Sequence, residues 1–441
     1  MAPVSNSQNV QNLHPAMAHF LQGIRYKVLP LLHYLPLVLI FAFVLYMPSP
    51  RLGTDLTKME LQAMGDVNKR IIFSLAFLIA FIGIIRKPGA LKHYLMEPRL
   101  LLVLLIYALL TVLWASSTIV AFKRWMQFAG FLLVVWCALL PEGSPGRILN
   151  ILRFLFTTAL VLSLIYSLLG KANSIEITTG AWRGIFSHKN ILGQVSAITL
   201  ILWFPTFSSL NSWKVWLLGL LSSVMALFLL LKSDSATAFV IFALVFLGWV
   251  IFYLPFRREI KYFLVPVPFL IFLFWITNFQ KTGIDEMFFN TLNRDTSFTG
   301  RTVLWEAFLE NTGSHTLFGS GYNSFWISTN KTAQNLIQQL GWDPGQAHNG
   351  YLDILNELGL IGGVLFGLFL LQALIRTRRY QNIDREVGTV LFFIMLSQIL
   401  YNYVETSFCR SSSLGWLATL VSAVIASHVL NRQKKAGENE N

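Results

Sequence analysis

Long apolar runs recur along this chain at 30–47, 71–85, 100–115, 125–141, 154–169, 191–207, 215–231, 236–256, 262–278, 351–375, 387–404 and 411–430. Each approaches the roughly 20 residues that an α-helix needs to cross a bilayer core. In lipid, backbone polar groups must find partners within their own segment, so helices are expected rather than open sheets. The pattern predicts an all-α, polytopic membrane bundle of about twelve transmembrane helices. Most connections are short. The exception is 279–350, a 72-residue loop, and loops of that length are generally functional. The chain therefore divides into a tail (1–29), nine spans (30–278), the large loop (279–350), three spans (351–430) and a second tail (431–441).

Composition supports this reading. Of 441 residues, 55% are hydrophobic and only 12% charged, about half the charged fraction of a soluble domain. Residues 1–24 are polar and mixed, without the charged start and short apolar core of a signal peptide. Cys137 and Cys409 lie far apart, and Cys137 falls within an apolar run, so both are expected to behave as small apolar residues. Walker loop, dinucleotide fingerprint, HExxH and Cys/His metal spacing are all missing from the sequence, so no metal or other cofactor is expected. The short connections leave no room for an ATPase. Energy must come from the substrate or from an ion gradient.

The basic residues set the orientation. Twelve spans place both termini on one side, and the segments on that side hold 19 Lys and Arg in 90 residues, against 15 in 135 opposite. Lys and Arg favour the cytoplasmic face, so both termini are expected there and the large loop outside. RREIK (257–261) and RTRRYQNIDR (376–385) are the clearest inside loops. The net charge of +13 thus reads as a topology signal, and nucleic acid is not expected as a partner.

Basic residues at the outer ends of spans need another reason. Lys123 and Arg124 in FKRWMQF, Arg183, His188 and Lys189 in AWRGIFSHKN, Lys232, Arg301, His348 and Arg410 all fall near that interface. Such a ring suits an anionic head group, because arginine forks match phosphate oxygens. Each residue alone has a plainer reading, as a snorkelling side chain or an ion-pair partner. In the loop, GRTVLWEAFLEN (300–311) places Val303, Leu304, Ala307 and Phe308 at helical spacing, which predicts a short amphipathic helix at the membrane surface.

The stretch HNGYLDILNELG (348–359) carries the sharpest candidates. Asn349 is placed to cap a helix starting near Tyr351, whose free N–H groups favour an anion. His348 beside that end would accept a proton from an attacking hydroxyl, hydrogen-bond a phosphate, or simply complete the cap. Spacing alone leaves these readings open. Asp353 and Glu357, one turn apart, would orient His348 or pair with the outer arginines. Gly359, Gly363 and Gly367 repeat at four-residue spacing, which predicts a close helix-packing face.

RGIFSHKNILGQ, then TGRTVLWEAFLEN with LFGSGYNSF after it, then AHNGYLDILNELGLIGG form an ordered set that resembles the O-antigen ligase and polysaccharide polymerase superfamily. The resemblance covers roughly residues 100–430, and the RGIFSHKN form looks most like exopolysaccharide polymerases. It implies a twelve-helix bundle in the bacterial inner membrane that takes a glycan from undecaprenyl diphosphate at the periplasmic face. Transfer would be inverting and metal-independent, to a glycan or lipid A core acceptor, with membrane lipids and a chain-length regulator as further partners. His348 matches the family's loop histidine and would be the catalytic base. Arg183 matches its diphosphate-binding arginines most directly, with Arg301 and Arg410 as further candidates. Lys123, Arg124, His188, Lys189, Asn349, Asp353 and Glu357 would support the site, and His188 is a rival base. Repeat-unit polymerase is the leading reading, ligase to lipid A core the alternative. A flippase or transporter is the more distant one, since such proteins often show two similar halves with polar sites at mid-membrane.

Overall fold

The structure, a computed structural model, describes residues 29–46, 67–87, 89, 98–171, 173–177, 179–207, 212–254, 257, 260, 267, 269, 270, 297–312, 316–410 and 413–439. Among them are thirteen helices of ten residues or more: α1 (Leu35–Tyr46), α2 (Val67–Ile85), α3 (Arg99–Thr111), α4 (Thr118–Ala138), α5 (Ser144–Leu168), α6 (Lys189–Trp203), α7 (Trp213–Lys232), α8 (Ala236–Tyr253), α9 (Ser297–Thr312), α10 (Lys331–Leu340), α11 (Gly350–Tyr380), α12 (Arg385–Tyr401) and α13 (Leu414–Asn439). Ile175 and Trp182 form an isolated antiparallel bridge in the α5–α6 connection.

Polar residues just before several apolar runs fix where the helices start. Ser117 caps α4, Ser235 α8, Asn330 α10, Asn349 α11 and Asp384 α12, each accepting from backbone N–H groups that a helix leaves without partners. Seven helices, α2, α4, α5, α7, α8, α11 and α13, are long and apolar enough to cross a membrane. Leu217, Leu221 and Val224 on α7, with Phe239 and Phe246 on α8, stay exposed, an apolar surface that suits lipid rather than water. This is a multi-pass membrane protein.

The expected count of twelve spans is not reached among the described residues. Leu35–Tyr46 and Arg99–Trp114 are apolar but shorter. α6 and α12, with 15 and 17 residues, are buried by neighbouring helices over most of their length. The expected span 262–278, the segments 1–28 and 47–66, and the loop residues 279–296 lie wholly or mostly outside the described residues. At the other end, α13 runs on to Asn439, through most of the stretch expected as a tail.

The large loop has a small core of its own. α9 is the helix expected from GRTVLWEAFLEN, but Leu304, Ala307 and Phe308 do not lie on a membrane surface. They pack against Phe325, Trp326, Ala333, Leu336 and Ala347, while Val303 is left exposed. The apolar stripe meets α10 and the 320s segment, which together provide enough apolar area to cover it. We call this unit the cap.

α11 is broken. Gly359 adopts φ +67 and ψ −172 inside the apolar run that reads as one continuous span. The groups freed by the break bond to the cap: Ser320 N–H and Gly321 N–H donate to the carbonyls of Asn356 and Glu357 at 2.8 and 3.0 Å, and Leu360 N–H donates to Thr316 O at 2.8 Å. The Tyr107 hydroxyl donates to Leu358 O at 3.0 Å. Non-helical backbone at membrane depth is tolerated only where protein satisfies it. The expected Gly359–Gly363–Gly367 packing face is absent. A Cβ at Gly367 would meet nothing within 4 Å, and one at Gly363 would meet Leu355 of its own helix.

At Gly359 a Cβ would fall 2.3 Å from Leu317 O and 2.5 Å from Gly319 N, on backbone that cannot yield. Gly359→Ala is therefore expected to destabilise by at least about 2 kcal/mol, through the left-handed backbone and the clash together. Gly367→Ala should be neutral or slightly stabilising. Thermal unfolding of the two variants in detergent checks this.

Candidate functional site

The start of α11 and the end of α12 are clamped together. Gly350 N–H donates to Asn402 O at 2.8 Å, and a Cβ at Gly350 would lie 2.3 Å from Asn402 Oδ1. The Tyr351 hydroxyl donates to Ile399 O at 2.8 Å. Asn402 is fully buried and shapes the turn after α12: its Oδ1 accepts from Ser407 N–H and Phe408 N–H, both at 2.8 Å, and its Nδ2 donates to Ser407 Oγ at 2.7 Å. The clamp brings His348, at the mouth of α11, against Glu405 in that turn. His348 Nδ1 lies 3.1 Å from Glu405 Oε2. His348 has φ +49, an uncommon conformation for a non-glycine residue, as strained backbone at functional sites often has.

Glu405 is the hub of this region and was not among the candidates read from the sequence. Its Oε1 accepts from Arg301 at 2.7 Å and from Asn190 Nδ2 at 2.9 Å. Only 6% of Glu405 is exposed. Burial raises its carboxyl, but the His348 hydrogen bond and the Arg301 charge outweigh that and hold it below the usual carboxylate range. The sequence did contain a signal, an acidic residue in a short turn between two apolar runs, where charge is costly unless it is used.

A second cluster adjoins the first. Arg410 donates to Glu357 Oε1 at 2.8 Å, lies 3.1 Å from Asp353 Oδ2, and donates to Asn323 Oδ1 at 2.5 Å. Arg124 donates to the backbone oxygen of Asn323. Of the two roles expected for Asp353 and Glu357, the geometry matches pairing with arginine rather than orienting His348. Asp353 also accepts from Trp326 Nε1 at 2.8 Å and Thr406 Oγ1 at 2.6 Å, and so ties the cap to the bundle. Burial lowers Arg410, but the Glu357 and Asp353 charges outweigh it and raise the guanidinium above its ordinary value.

The third group lies in the α5–α6 connection. Arg183 pairs with Glu176, and Lys189 lies 3.9 Å from Glu176 and 3.7 Å from Asp234. Burial raises Glu176, but the Thr179 hydrogen bond and the cations hold it below its ordinary range. Arg183 Nε is buried with no hydrogen-bond partner. His188 caps α6, its Nδ1 accepting from Asn190 N–H at 3.2 Å. Asn190 in turn links this group to Glu405. Lys232 lies 5.9 Å over the Trp182 ring, and Lys123 is exposed on α4 outside these ion pairs.

Arg124, Arg183, His188, Lys189, Arg301, His348, Asn349, Asp353, Glu357 and Arg410 are thus gathered at one end of the bundle. Cations and carboxylates alternate there, with a histidine against a buried carboxylate and a guanidinium donor left over. No cluster of metal-ligating side chains occurs among the described residues.

A family model described as O-antigen ligase matches residues 218–367, which include Arg301, His348, Asn349, Asp353 and Glu357. The exopolysaccharide production protein ExoQ of Rhizobium meliloti (strain 1021) is 25% identical over 301 residues, covering 65% of this chain and 67% of that protein.

Asp353 and Glu357 are each 2% exposed or less, so removing their cation strands two buried charges. Arg410→Ala is expected to cost about 3 kcal/mol or more. Neutralising the acids as well, with Asp353→Asn and Glu357→Gln, should recover part of that loss. Thermal denaturation of the single and triple variants measures both.

Proposed function

From this chain's place in the O-antigen ligase and polysaccharide polymerase superfamily, we propose that it is a glycosyltransferase of surface polysaccharide biosynthesis. The donor is a glycan on undecaprenyl diphosphate, the acceptor a sugar hydroxyl, and the site end of the bundle faces the periplasm of a bacterial inner membrane. The observation that carries this reading is His348 held against Glu405 beside arginines.

A glycosyl diphosphate is already activated, so the protein has three tasks: position the acceptor, take a proton and stabilise the departing charge. His348 accepts the proton of the acceptor hydroxyl while the oxygen bonds to the anomeric carbon. The bond from that carbon to the diphosphate breaks, the electron pair leaves with undecaprenyl diphosphate, and single displacement inverts the anomeric configuration. Arg183 and Arg301 receive the diphosphate. The buried, unpartnered Nε of Arg183 supports this, because such a donor costs about 1–3 kcal/mol until an acceptor arrives. Arg410 is held by two buried carboxylates and by Asn323, which suits a positioning role better. His188 is the weaker base, since its Nδ1 already accepts at the start of α6.

Similarity to a protein of exopolysaccharide production supports the polymerase reading over the ligase one. In that reading a growing chain passes to the next lipid-linked repeat unit. Purified protein given undecaprenyl-diphosphate-linked repeat units should build a ladder of longer glycans on the carrier, read by mass spectrometry. Transfer only on addition of lipid A core would make it a ligase. His348→Ala is expected to lower transfer at least about a hundredfold, the scale of lost acid–base catalysis. A folded His348→Ala variant with near-normal transfer would contradict the assignment.

A further inference from the structure

The contact between Glu405 and His348 settles more than proximity. A neutral imidazole carries one donor and one acceptor nitrogen, and whichever nitrogen faces a fixed acceptor must carry the proton. Glu405 is buried, and an ionised carboxylate only accepts. Nδ1 of His348 therefore holds the hydrogen, and Nε2 keeps its lone pair. Gln346 Nε2 also lies near Nδ1, at 3.3 Å, and an amide N–H would require the opposite tautomer. The carboxylate is nearer, at 3.1 Å, and its bond is charge-assisted, so it prevails. With its amide turned over, Gln346 offers its oxygen to the same N–H.

The carboxylate is itself held. Its other oxygen takes Arg301 from α9 and Asn190 from α6, so three parts of the molecule fix the plane of one side chain. His188, two positions before Asn190 on the same segment, shows the contrast: its Nδ1 accepts the Asn190 backbone N–H, so its proton sits on Nε2.

We propose that Glu405 is the positioning residue of this site, fixing His348 in the Nδ1–H tautomer so that Nε2 faces the acceptor hydroxyl. The inference rests on the glycosyltransferase reading above. In the transfer step the hydroxyl proton moves to Nε2 and the new carbon–oxygen bond forms as the bond to diphosphate breaks. Glu405 stays ionised and stabilises the imidazolium. The charged groups facing the ring are Glu405 in the turn after α12, Arg301 on α9 and, across Glu405, His188 ahead of α6; Asp353 on α11 is joined to Ala347 N–H, one residue away.

The test uses full-length protein in detergent or nanodiscs, comparing wild type with Glu405→Gln and Glu405→Asp. Glu405→Gln is expected to lower kcat about a hundredfold or more, with the donor KM changed only a few-fold. The acidic limb of its kcat/KM profile should move to lower pH, since the imidazolium loses its counter-charge. Glu405→Asp should recover part of kcat. Nitrogen-15 NMR of labelled histidine, assigned with His348→Gln, should show the Nδ1–H tautomer in wild type and its loss in Glu405→Gln.

A folded Glu405→Gln variant with unchanged kcat and an unmoved acidic limb would overturn the inference. So would an Nε2–H tautomer at His348 in wild type, a result that stands even if the variant fails to fold. If the tautomer is as assigned and is lost in Glu405→Gln, but wild type transfers no glycan, the positioning assignment holds and the glycosyltransferase reading falls.

Discussion

The break at Gly359 is the constraint on which this architecture turns. A helix interrupted inside a membrane bundle must satisfy its freed carbonyls and N–H groups, and here the backbone of residues 316–321 does so. That requirement docks the cap onto the bundle through main-chain bonds, which do not depend on particular side chains. It also sets the nine residues ahead of the break as a separate short helix, with His348 and Asn349 at its mouth. Asp353 and Glu357 lie one turn apart on this segment, and both reach Arg410.

From there, desolvation governs. Charges withdrawn from water survive only when paired and hydrogen-bonded, and each cation gathered at this end meets a carboxylate or a backbone oxygen, save the exposed Lys123 and the ring-stacked Lys232. Arg410 sits between two acids, Arg301 on Glu405, Arg183 on Glu176 and Arg124 on the carbonyl of Asn323. A dianionic ligand entering such a network must exchange with a resident carboxylate. Glu176, in a loop and partly exposed, yields more readily than Asp353 or Glu357 deep in the bundle.

Much of this was legible in the sequence, because hydrophobic length and helix caps are local signals. The apolar runs marked α2, α4, α5, α7, α8, α11 and α13, and Asn349 marked the start of α11. The gathering of these basic residues at one end of the bundle was also visible, since span ends bring distant residues to one depth. The break was not, because Gly359 sits among glycines at packing spacing and only the approach of 316–321 shows why it is needed. Nor was the pairing of Glu405 with His348: the two lie 57 positions apart, and no local pattern joins them. The buried face of α9 was read as lipid-facing because amphipathic spacing does not say what covers the stripe.

The proposed reaction takes the energy for bond formation from the lipid diphosphate, using residues of this chain and no metal. Counting undecaprenyl diphosphate by phosphorus NMR, against new glycosidic bonds by mass spectrometry, tests it most directly, with chelator present and nucleotide omitted. One diphosphate carrier released per bond formed, at a rate unchanged by chelator, is the expected result. Bonds formed without release of the carrier, or only when a divalent cation is restored, would contradict it.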